Sequence, residues 1–441
     1  MKSFLRKILP PQFILWTHKI RGVVAAFYYR FPAKKMTVIG VTGTNGKTTT
    51  CNLIAEILEA AGFKVCLATT INFKIQKKEW PNITKMTTLS PFALQKFLKK
   101  AHQAGCEYAV IETTSHAIVQ SRIWGIPYDV AVFTNLTHEH LDYHKNITEY
   151  RNVKGQLFDS LIKSLRKPGV KKISVINLDD PSAAFFAHFP ADKKYFYRVG
   201  GPASEARPNE ILARRVHQDM AGSAFTVDVP DKAFDVRLNL PGKFNISNAL
   251  AATAVGFSQN VAPENIKKAL EKVSGIPGRM EKIEADQDFT VIVDFAHSPD
   301  ALKKIFQTVR PVAKARIIAV FGATGERDTS KRPIMGALAA QYSDVIIITT
   351  DDPYHEDPQQ IIDQVALGVP RGTSTANLKI AGKNFFKILD RKKAIEKALK
   401  TAQKGDLVLI MGKGCEQVQV IGDKKIPWDD RKIVREILGK K

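Results

Sequence analysis

The sequence predicts an α/β fold in which a central P-loop parallel-sheet domain is followed by a Rossmann-like α/β C-terminal domain. Three observations carry this. Short, continuously apolar runs at residues 36–41, 64–69, 108–112 and 129–134 alternate with stretches of helical periodicity, the pattern of parallel strands buried on both faces. A second series of such runs lies at 290–294, 316–321, 344–349 and 406–411. The first run leads directly into a glycine-rich turn and a helix expected over 48–61 that ends at Gly62.

At 441 residues the chain is too long for one core. We read residues 1–35 as a basic amphipathic N-terminal segment, 36–276 as the central domain and 277–441 as the C-terminal domain. The stretch Pro277-Gly-Arg-Met-Glu281 is expected to act as a hinge between a helix over 262–273 and a new strand. Residues 190–235 are less regular and are expected to form a β-rich excursion of the central domain.

Apolar content of 44% and charged content of 25% are ordinary for a globular protein. Cys51, Cys66, Cys106 and Cys415 are scattered and form no CxxC pair, which argues against a disulfide framework or zinc ribbon and fits a reducing cytoplasmic location. No run of about 18 apolar residues exists to span a bilayer. The N-terminal segment mixes Phe13, Ile14, Trp16, Ile20 and Phe27 with Lys19, Arg21 and Arg30 but lacks the continuous apolar core of a signal peptide. It reads either as a helix docked on the first domain or as a helix making peripheral membrane contact. The net charge of +23 attracts anionic partners. It is diffuse, with no arginine-rich arm or nucleic-acid motif, so no specific nucleic acid is expected. A monomer is expected.

Polar residues fall just beyond the carboxyl ends of the strands: Gly43, Glu112, Asn135, Asp294, Asp351 and Lys413. Open parallel sheets bind ligands at those ends, so two such sheets predict a cleft between domains. The turn Thr42-Gly-Thr-Asn-Gly-Lys-Thr48 is a phosphate site by construction, because free N–H groups and the positive helix end meet an anion. Lys47 suits the outer phosphates and the Thr48 hydroxyl suits Mg2+. Strict Walker spacing would require glycine at position 41, which is Val41, so the loop is a variant with Gly40, Gly43 and Gly46 as its flexible points. Glu112 closes a strand as a metal-binding carboxylate, hard oxygen being what magnesium takes.

The cluster Thr137-His-Glu-His-Leu-Asp-Tyr-His144 resembles the HxHxDH zinc motif of metallo-β-lactamase hydrolases, but Tyr143 displaces the last histidine by one place. Beside a phosphate loop, a role at the nucleotide or its metal is the more economical reading.

Taken in order, the motifs resemble the Mur ligase family, and within it the branch that adds the third residue of the peptidoglycan stem peptide. Those motifs are Gly43-Thr-Asn-Gly-Lys-Thr48, Thr87-Thr88, Glu112-Thr-Thr-Ser-His116, Gln120 with Arg122, Thr134-Asn-Leu-Thr137, His140-Leu-Asp-Tyr-His144 and Tyr150 to Lys154. Gly242-Lys-Phe-Asn245 with Asn248, Gly278-Arg-Met-Glu281, Asp294-Phe-Ala-His-Ser-Pro-Asp300, Arg327-Asp328 with Lys331-Arg-Pro333, Asp351-Asp-Pro353 and Gly412-Lys-Gly-Cys-Glu416 follow. The resemblance covers roughly residues 36–441 and implies an ATP-dependent acid–amino-acid ligase that works through an acyl-phosphate.

It implies that ATP is bound by Gly43, Thr44, Asn45, Gly46, Lys47, Thr48 and Thr49 with Asn248, Arg279 and Asp294, the last through ribose hydroxyls. Glu112, His140 and Thr48 would bind Mg2+ beside a carbamylated Lys154, and Lys47, Lys154, His140 and Glu112 would form the catalytic group. Thr87, Thr88, Thr114, Gln120 and Arg122 would meet a nucleotide-sugar peptide, and Arg327, Asp351, Asp352, Tyr354, Gly412 and Glu416 the free amino acid.

Three departures shape the expectation. The family branch carries an N-terminal uridine-nucleotide domain, and about 35 residues precede the central domain here, so the acceptor's UDP group is left open. Enzymes adding diaminopimelate carry Asp-Asn-Pro-Arg, whereas this chain has Asp351-Asp-Pro-Tyr354. Tyrosine offers no cationic fork for a distal carboxylate, and Asp352 favours an ammonium, so lysine or another diamino acid is expected. Cys415 replaces a histidine and is expected to pack. A folylpolyglutamate-synthase-like ligase and a non-ligase P-loop ATPase binding a polyanion are the alternatives.

Overall fold

The computed structural model describes residues 11–137, 143–201, 208–230, 232–370 and 380–439. Two sheets organise them. The larger has eleven strands in the order β11-β10-β9-β8-β7-β6-β1-β5-β2-β3-β4. These are β1 (Thr37–Thr42), β2 (Val65–Ala68), β3 (Asn72–Ile75), β4 (Lys78–Pro81), β5 (Tyr108–Glu112) and β6 (Val130–Phe133). They continue as β7 (Ile173–Asn177), β8 (Lys193–Val199), β9 (Glu210–Asp219), β10 (Gly222–Val229) and β11 (Lys232–Leu238).

The second sheet runs β12-β13-β17-β14-β15-β16. It comprises β12 (Glu281–Ile283), β13 (Thr290–Asp294), β14 (Ile317–Phe321), β15 (Val345–Thr349), β16 (Phe385–Ile388) and β17 (Leu407–Met411). A hairpin of β18 (Val418–Ile421) and β19 (Lys424–Pro427) stands apart.

The centre of each sheet is parallel, as the apolar runs predict: β5, β1 and β6 are in parallel register, as are β13, β17, β14 and β15. Burial on both faces explains why these strands read as unbroken apolar runs. Along β1, Ile39 and Val41 join one core and Val38 the other, on opposite sides of the same sheet. The expected strands are correct within one or two residues at each end, where capping decides the boundary. The first helix, Lys47–Ala60, starts after Gly46, whose φ of 83° is the left-handed conformation that glycine adopts without strain.

Residues 190–235 are β-rich, as expected, and belong to the main sheet rather than to a separate excursion. They hold β8, β9, β10 and most of β11 and extend the main sheet, with Tyr195, Tyr197 and Val199 alternating inward along β8. The alternation is masked in sequence by the lysines and arginine of its outer positions. Strand β7, the inner strand β3 and the edge strands β4 and β16 are absent from the sequence reading. The turn expected as a hinge is anchored on its C-terminal side: Met280 N donates to Asp294 Oδ2 (2.7 Å), Gly278 N donates to Glu281 Oε2 (2.7 Å), and a Cβ on Gly278 would lie 2.0 Å from Cys415 N.

Candidate active site

The carboxyl ends of β1, β5 and β6 face those of β13, β14, β15 and β17 across a cavity of about 840 Å3. On one wall lies the glycine loop. Side-chain atoms cannot intrude at its bends, since a Cβ on Gly43 would be 1.9 Å from Thr134 Oγ1 and one on Gly46 2.2 Å from Asn248 Oδ1. The loop is held from outside: Asn45 N donates to Asn135 Oδ1 (2.9 Å), Thr44 N to Asn135 O (2.7 Å), and Thr134 Oγ1 to Asn45 O (2.7 Å). Lys47 folds back so that Nζ donates to Thr44 O at 2.6 Å.

Thr48 Oγ1 donates to Glu112 Oε2 (2.9 Å), which also accepts from Thr70 N (2.8 Å) and Thr70 Oγ1 (2.9 Å). Glu112 is buried, so its carboxylate is fixed by these donors. Arg279 reaches across from the second sheet, with NH2 3.2 Å from Thr48 Oγ1 and its guanidinium over the Phe295 ring. Two hard oxygens at the head of a cleared backbone loop fit a phosphate-bound divalent ion. Lys154 is buried and donates from Nζ to Gly43 O (2.8 Å), directly behind the loop. His140 lies outside the described residues.

A shelf beside the loop is built from threonines. Thr88 Oγ1 donates to Glu112 O (2.8 Å) and lies 3.3 Å from Thr114 Oγ1, while Thr87 Oγ1 accepts from Thr70 Oγ1 (3.0 Å). Arg122 is locked by Thr88 O (2.9 Å) and by Gln120 Oε1 (2.9 Å to Nε). Thr87, Thr114 and Arg122 line the cavity; Thr88 and Gln120 stand behind them. His116 also lines it, and burial together with His144 pushes its imidazole down to about 4, so it is neutral at physiological pH.

The opposite wall is a knot of charge. Lys413 is fully buried, with Nζ 2.8 Å from both Asp352 Oδ1 and Glu416 Oε2. Burial pulls its pKa down, but Asp351, Glu416 and Asp352 outweigh that and hold it above the ordinary lysine value. Burial also pushes Asp352 up, and Lys413 and Lys85 more than reverse it. Lys85, from the loop before Thr87, donates to Asp352 Oδ2 (2.7 Å) and to Glu416. Arg391 lies beneath, fully buried, paired with Asp430 (2.7 Å) and donating to Met411 O (2.9 Å) at the end of β17.

The structure therefore brings together Thr44 to Thr48, Glu112, Thr87, Thr114, Arg122 and Arg279 with Arg327, Asp351, Asp352, Tyr354, Gly412 and Glu416 around one cavity. Gly43, Thr49, Asn248 and Asp294 stand outside its lining. Asn248 backs Gly46, and both Asp294 oxygens are used on backbone, Met280 N and Ala296 N at 2.7 Å each. Of the histidine cluster, His144 is buried with Nε2 3.0 Å from Ser115 Oγ, and His138 and His140 lie outside the described residues. Burial raises the Cys415 thiol to about 12, as suits a packing residue.

Sequence reasoning missed Lys85, although it stands two residues before the Thr87-Thr88 pair. It gave no role to Asp300, whose Oδ2 accepts from Asn45 Nδ2 (2.8 Å) and Thr137 Oγ1 (3.3 Å), joining the two walls.

Residues 41–256 match the Mur ligase middle domain and 278–414 the Mur ligase glutamate ligase domain. A UDP-N-acetylmuramoyl-L-alanyl-D-glutamate–2,6-diaminopimelate ligase of Geobacillus thermodenitrificans is 39% identical over 421 residues, covering 95% of this chain and 82% of its own. A UDP-N-acetylmuramyl-tripeptide synthetase of Roseiflexus is 41% identical over 423 residues, covering 94% and 81%. Among solved structures, a UDP-N-acetylmuramoyl-L-alanyl-D-glutamate–2,6-diaminopimelate ligase superposes with a TM-score of 0.63 at 31% identity, covering 96% of this chain and 83% of that one. The folylpolyglutamate synthase of Mycobacterium tuberculosis, complexed with ADP and AMPPCP, shares the fold at a TM-score of 0.72 and 17% identity, covering 96% and 95%.

Proposed function

The chain belongs to the Mur ligase family and is an amide ligase, and we propose that it uses ATP and Mg2+ to join a free amino acid to the carboxylate of a UDP-N-acetylmuramoyl-dipeptide-like acceptor in peptidoglycan precursor synthesis. One observation carries this reading: a phosphate loop and a carboxylate pair already holding an ammonium open from opposite sheets onto one cavity. The two sheets support a division into residues 36–276 and 277–441 behind an N-terminal segment of 1–35.

ATP supplies the phosphoryl group that activates the acceptor carboxylate, and magnesium offsets the charge on that group. The chain's own residues bind and orient. Lys47 and the loop N–H groups of Gly46 to Thr49 hold phosphates, Gly43, Thr44 and Asn45 shape the loop with Thr44 N and Asn45 N tied to Asn135, Asn248 keeps Gly46 in place, and Arg279 reaches the same point from the second sheet. Thr48 and Glu112, with His140 and a carbamylated Lys154, are the metal-side group. Asp294 acts by fixing the Arg279–Met280 turn; a ribose contact rests on the family resemblance. Thr87, Thr114 and Arg122 receive the acceptor, with Thr88 and Gln120 orienting them. Arg327, Asp351, Asp352, Tyr354, Gly412 and Glu416 receive the amino acid. Catalysis by positioning between two closing walls suits such a site.

The amino acid we propose is lysine or another diamino acid, because Tyr354 offers no fork for a distal carboxylate while Asp352 and Glu416 hold an ammonium. The test is mass spectrometry of products from ATP, a UDP-muramyl dipeptide, a folate acceptor and an amino-acid mixture. A lysine adduct of the muramyl dipeptide is expected. A glutamate adduct of folate would replace this reading with the folylpolyglutamate one, and ATP hydrolysis without any adduct would replace it with the polyanion-binding ATPase.

A further inference from the structure

The helix Pro11–Tyr28 is apolar on both sides, not amphipathic in the ordinary sense. Its inner side is spoken for. Ala25 and Ala26 are fully buried, a Cβ on Gly22 would lie 2.6 Å from Ser121 O, and Phe31, just beyond the helix, meets Trp124 with ring centroids 6.2 Å apart. The helix is thus fixed to the body of the protein. At 3.6 residues per turn Phe13, Trp16, Ile20, Val24 and Phe27 fall on one outer stripe, and all five are exposed, Trp16 by 58% and Phe27 by 62%. A helix apolar all round is normally buried all round, and a contiguous exposed apolar stripe marks a contact surface.

Charge identifies the partner. Lys19 and Arg21, both exposed, lie on the two flanks of the stripe. No aspartate or glutamate occurs before Glu56, while eight lysines and arginines precede position 36. The neighbouring helix Pro91–Gln103 adds exposed Lys96, Lys99 and Lys100, with Lys99 Nζ 5.9 Å from the Tyr29 ring. The face is aromatic along its stripe and cationic at its rims. Such a surface fits an interface that is apolar in its depth and anionic at its edge. No helix among the described residues is long and apolar enough to cross a membrane.

We propose that the helix Pro11–Tyr28 lies flat on an anionic lipid surface, its Phe13–Trp16–Ile20–Val24–Phe27 stripe in the headgroup–acyl boundary and its basic flanks on lipid phosphates. Trp on the stripe suits that boundary, and shallow burial plus electrostatic attraction is how such helices bind. The docking is reversible and leaves the cavity between the two sheets in water.

The test is co-sedimentation of the full chain with phosphatidylcholine vesicles, with and without phosphatidylglycerol. Wild type should bind the anionic vesicles at least tenfold better than the neutral ones, and less well at high salt. Trp16→Ser with Ile20→Ser should lower anionic binding at least tenfold while melting temperature and phosphate release stay unchanged. Lys19→Glu with Arg21→Glu should weaken it and reduce the salt dependence. Absence of wild-type binding, or full binding by the serine double variant, overturns the proposal. So does a wild-type dimer that ignores vesicles and dissociates in the serine variant, which would assign the stripe to a second copy.

Discussion

Lys85 Nζ lies 2.7 Å from Asp352 Oδ2, so a loop of the eleven-stranded sheet inserts an ammonium between carboxylates of the six-stranded one. Both side chains are largely buried, 14% and 5% exposed, which lifts the pair above the weak surface class. An incoming diamino acid must displace this ammonium. Lys85→Met should therefore lower the KM for lysine several-fold, with a smaller change in the KM for ATP. Steady-state kinetics checks this, and an unchanged or raised KM for lysine would show that Lys85 does not compete for the slot. Asp352→Asn should raise the KM for lysine whether or not Lys85 competes, so it tests the carboxylate's role on its own.

Lys47→Ala should abolish amino-acid-dependent phosphate release while leaving the melting temperature near wild type, since Nζ donates to Thr44 O within its own loop. Gly46→Ala should fail differently. At φ 83°, with a Cβ 2.2 Å from Asn248 Oδ1, alanine is strained by about 1–3 kcal/mol and must shift the loop. Loss of activity together with a lower melting temperature is expected. Full activity in Lys47→Ala would remove the loop from the mechanism.

How much of this was legible follows from where each signal lives. Strand-end residues such as Glu112, Asp351 and Gly412 could be read directly, because a continuous apolar run announces its own end and parallel sheets bind there. Lys85 could not, since its partners are 267 and 331 positions away and nothing local sets its rotamer. The place of His144 could not be read from spacing, which says nothing of packing: its ring lies inside the domain, 5.1 Å from that of Tyr150 and tilted by 38°. The β-rich character of residues 190–235 was legible, but not their pairing onto the main sheet, which is set by partners far away in sequence.

Lys154 is buried with Nζ 2.8 Å from Gly43 O and 4.2 Å from the Tyr150 ring centre. If its nitrogen carries a carbamate beside the loop, activity should fall when dissolved CO2 is stripped and return on adding bicarbonate. Lys154→Arg keeps the charge but cannot be carbamylated, so it should be inactive under both conditions. Activity indifferent to bicarbonate would leave Lys154 as a plain buried cation holding the loop.

His116 gives the fold a calculable acid limb. Its folded value of about 4 lies below the ordinary value of about 6.5, so between those limits the unfolded chain binds more protons than the native one. Stability then rises with pH through that window and is lost as pH falls from about 6.5 toward 4. His116→Gln should flatten this part of a urea-denaturation profile against pH. An identical acid limb in the variant would reassign the effect to the carboxylates.

Asp129 sits at the far end of the central sheet from the cavity and separates stability from chemistry. It is fully buried, accepts from Val38 N (2.8 Å), and pairs with both Lys167 and Lys172, the latter at 3.1 Å. Removing one partner of a buried ionic group leaves the others uncompensated, at a cost of about 3–5 kcal/mol. Here two lysines would lose their common acceptor, although backbone carbonyls of Met36, Pro127 and Tyr128 still receive their protons. Asp129→Ala should thus lose stability of that order, and Asp129→Asn less, because the amide oxygen retains an acceptor for Val38 N. Folded Asp129→Asn protein should keep its KM values for ATP and amino acid. Chemical denaturation and steady-state kinetics check the two halves, and an altered KM with unaltered stability would contradict the separation.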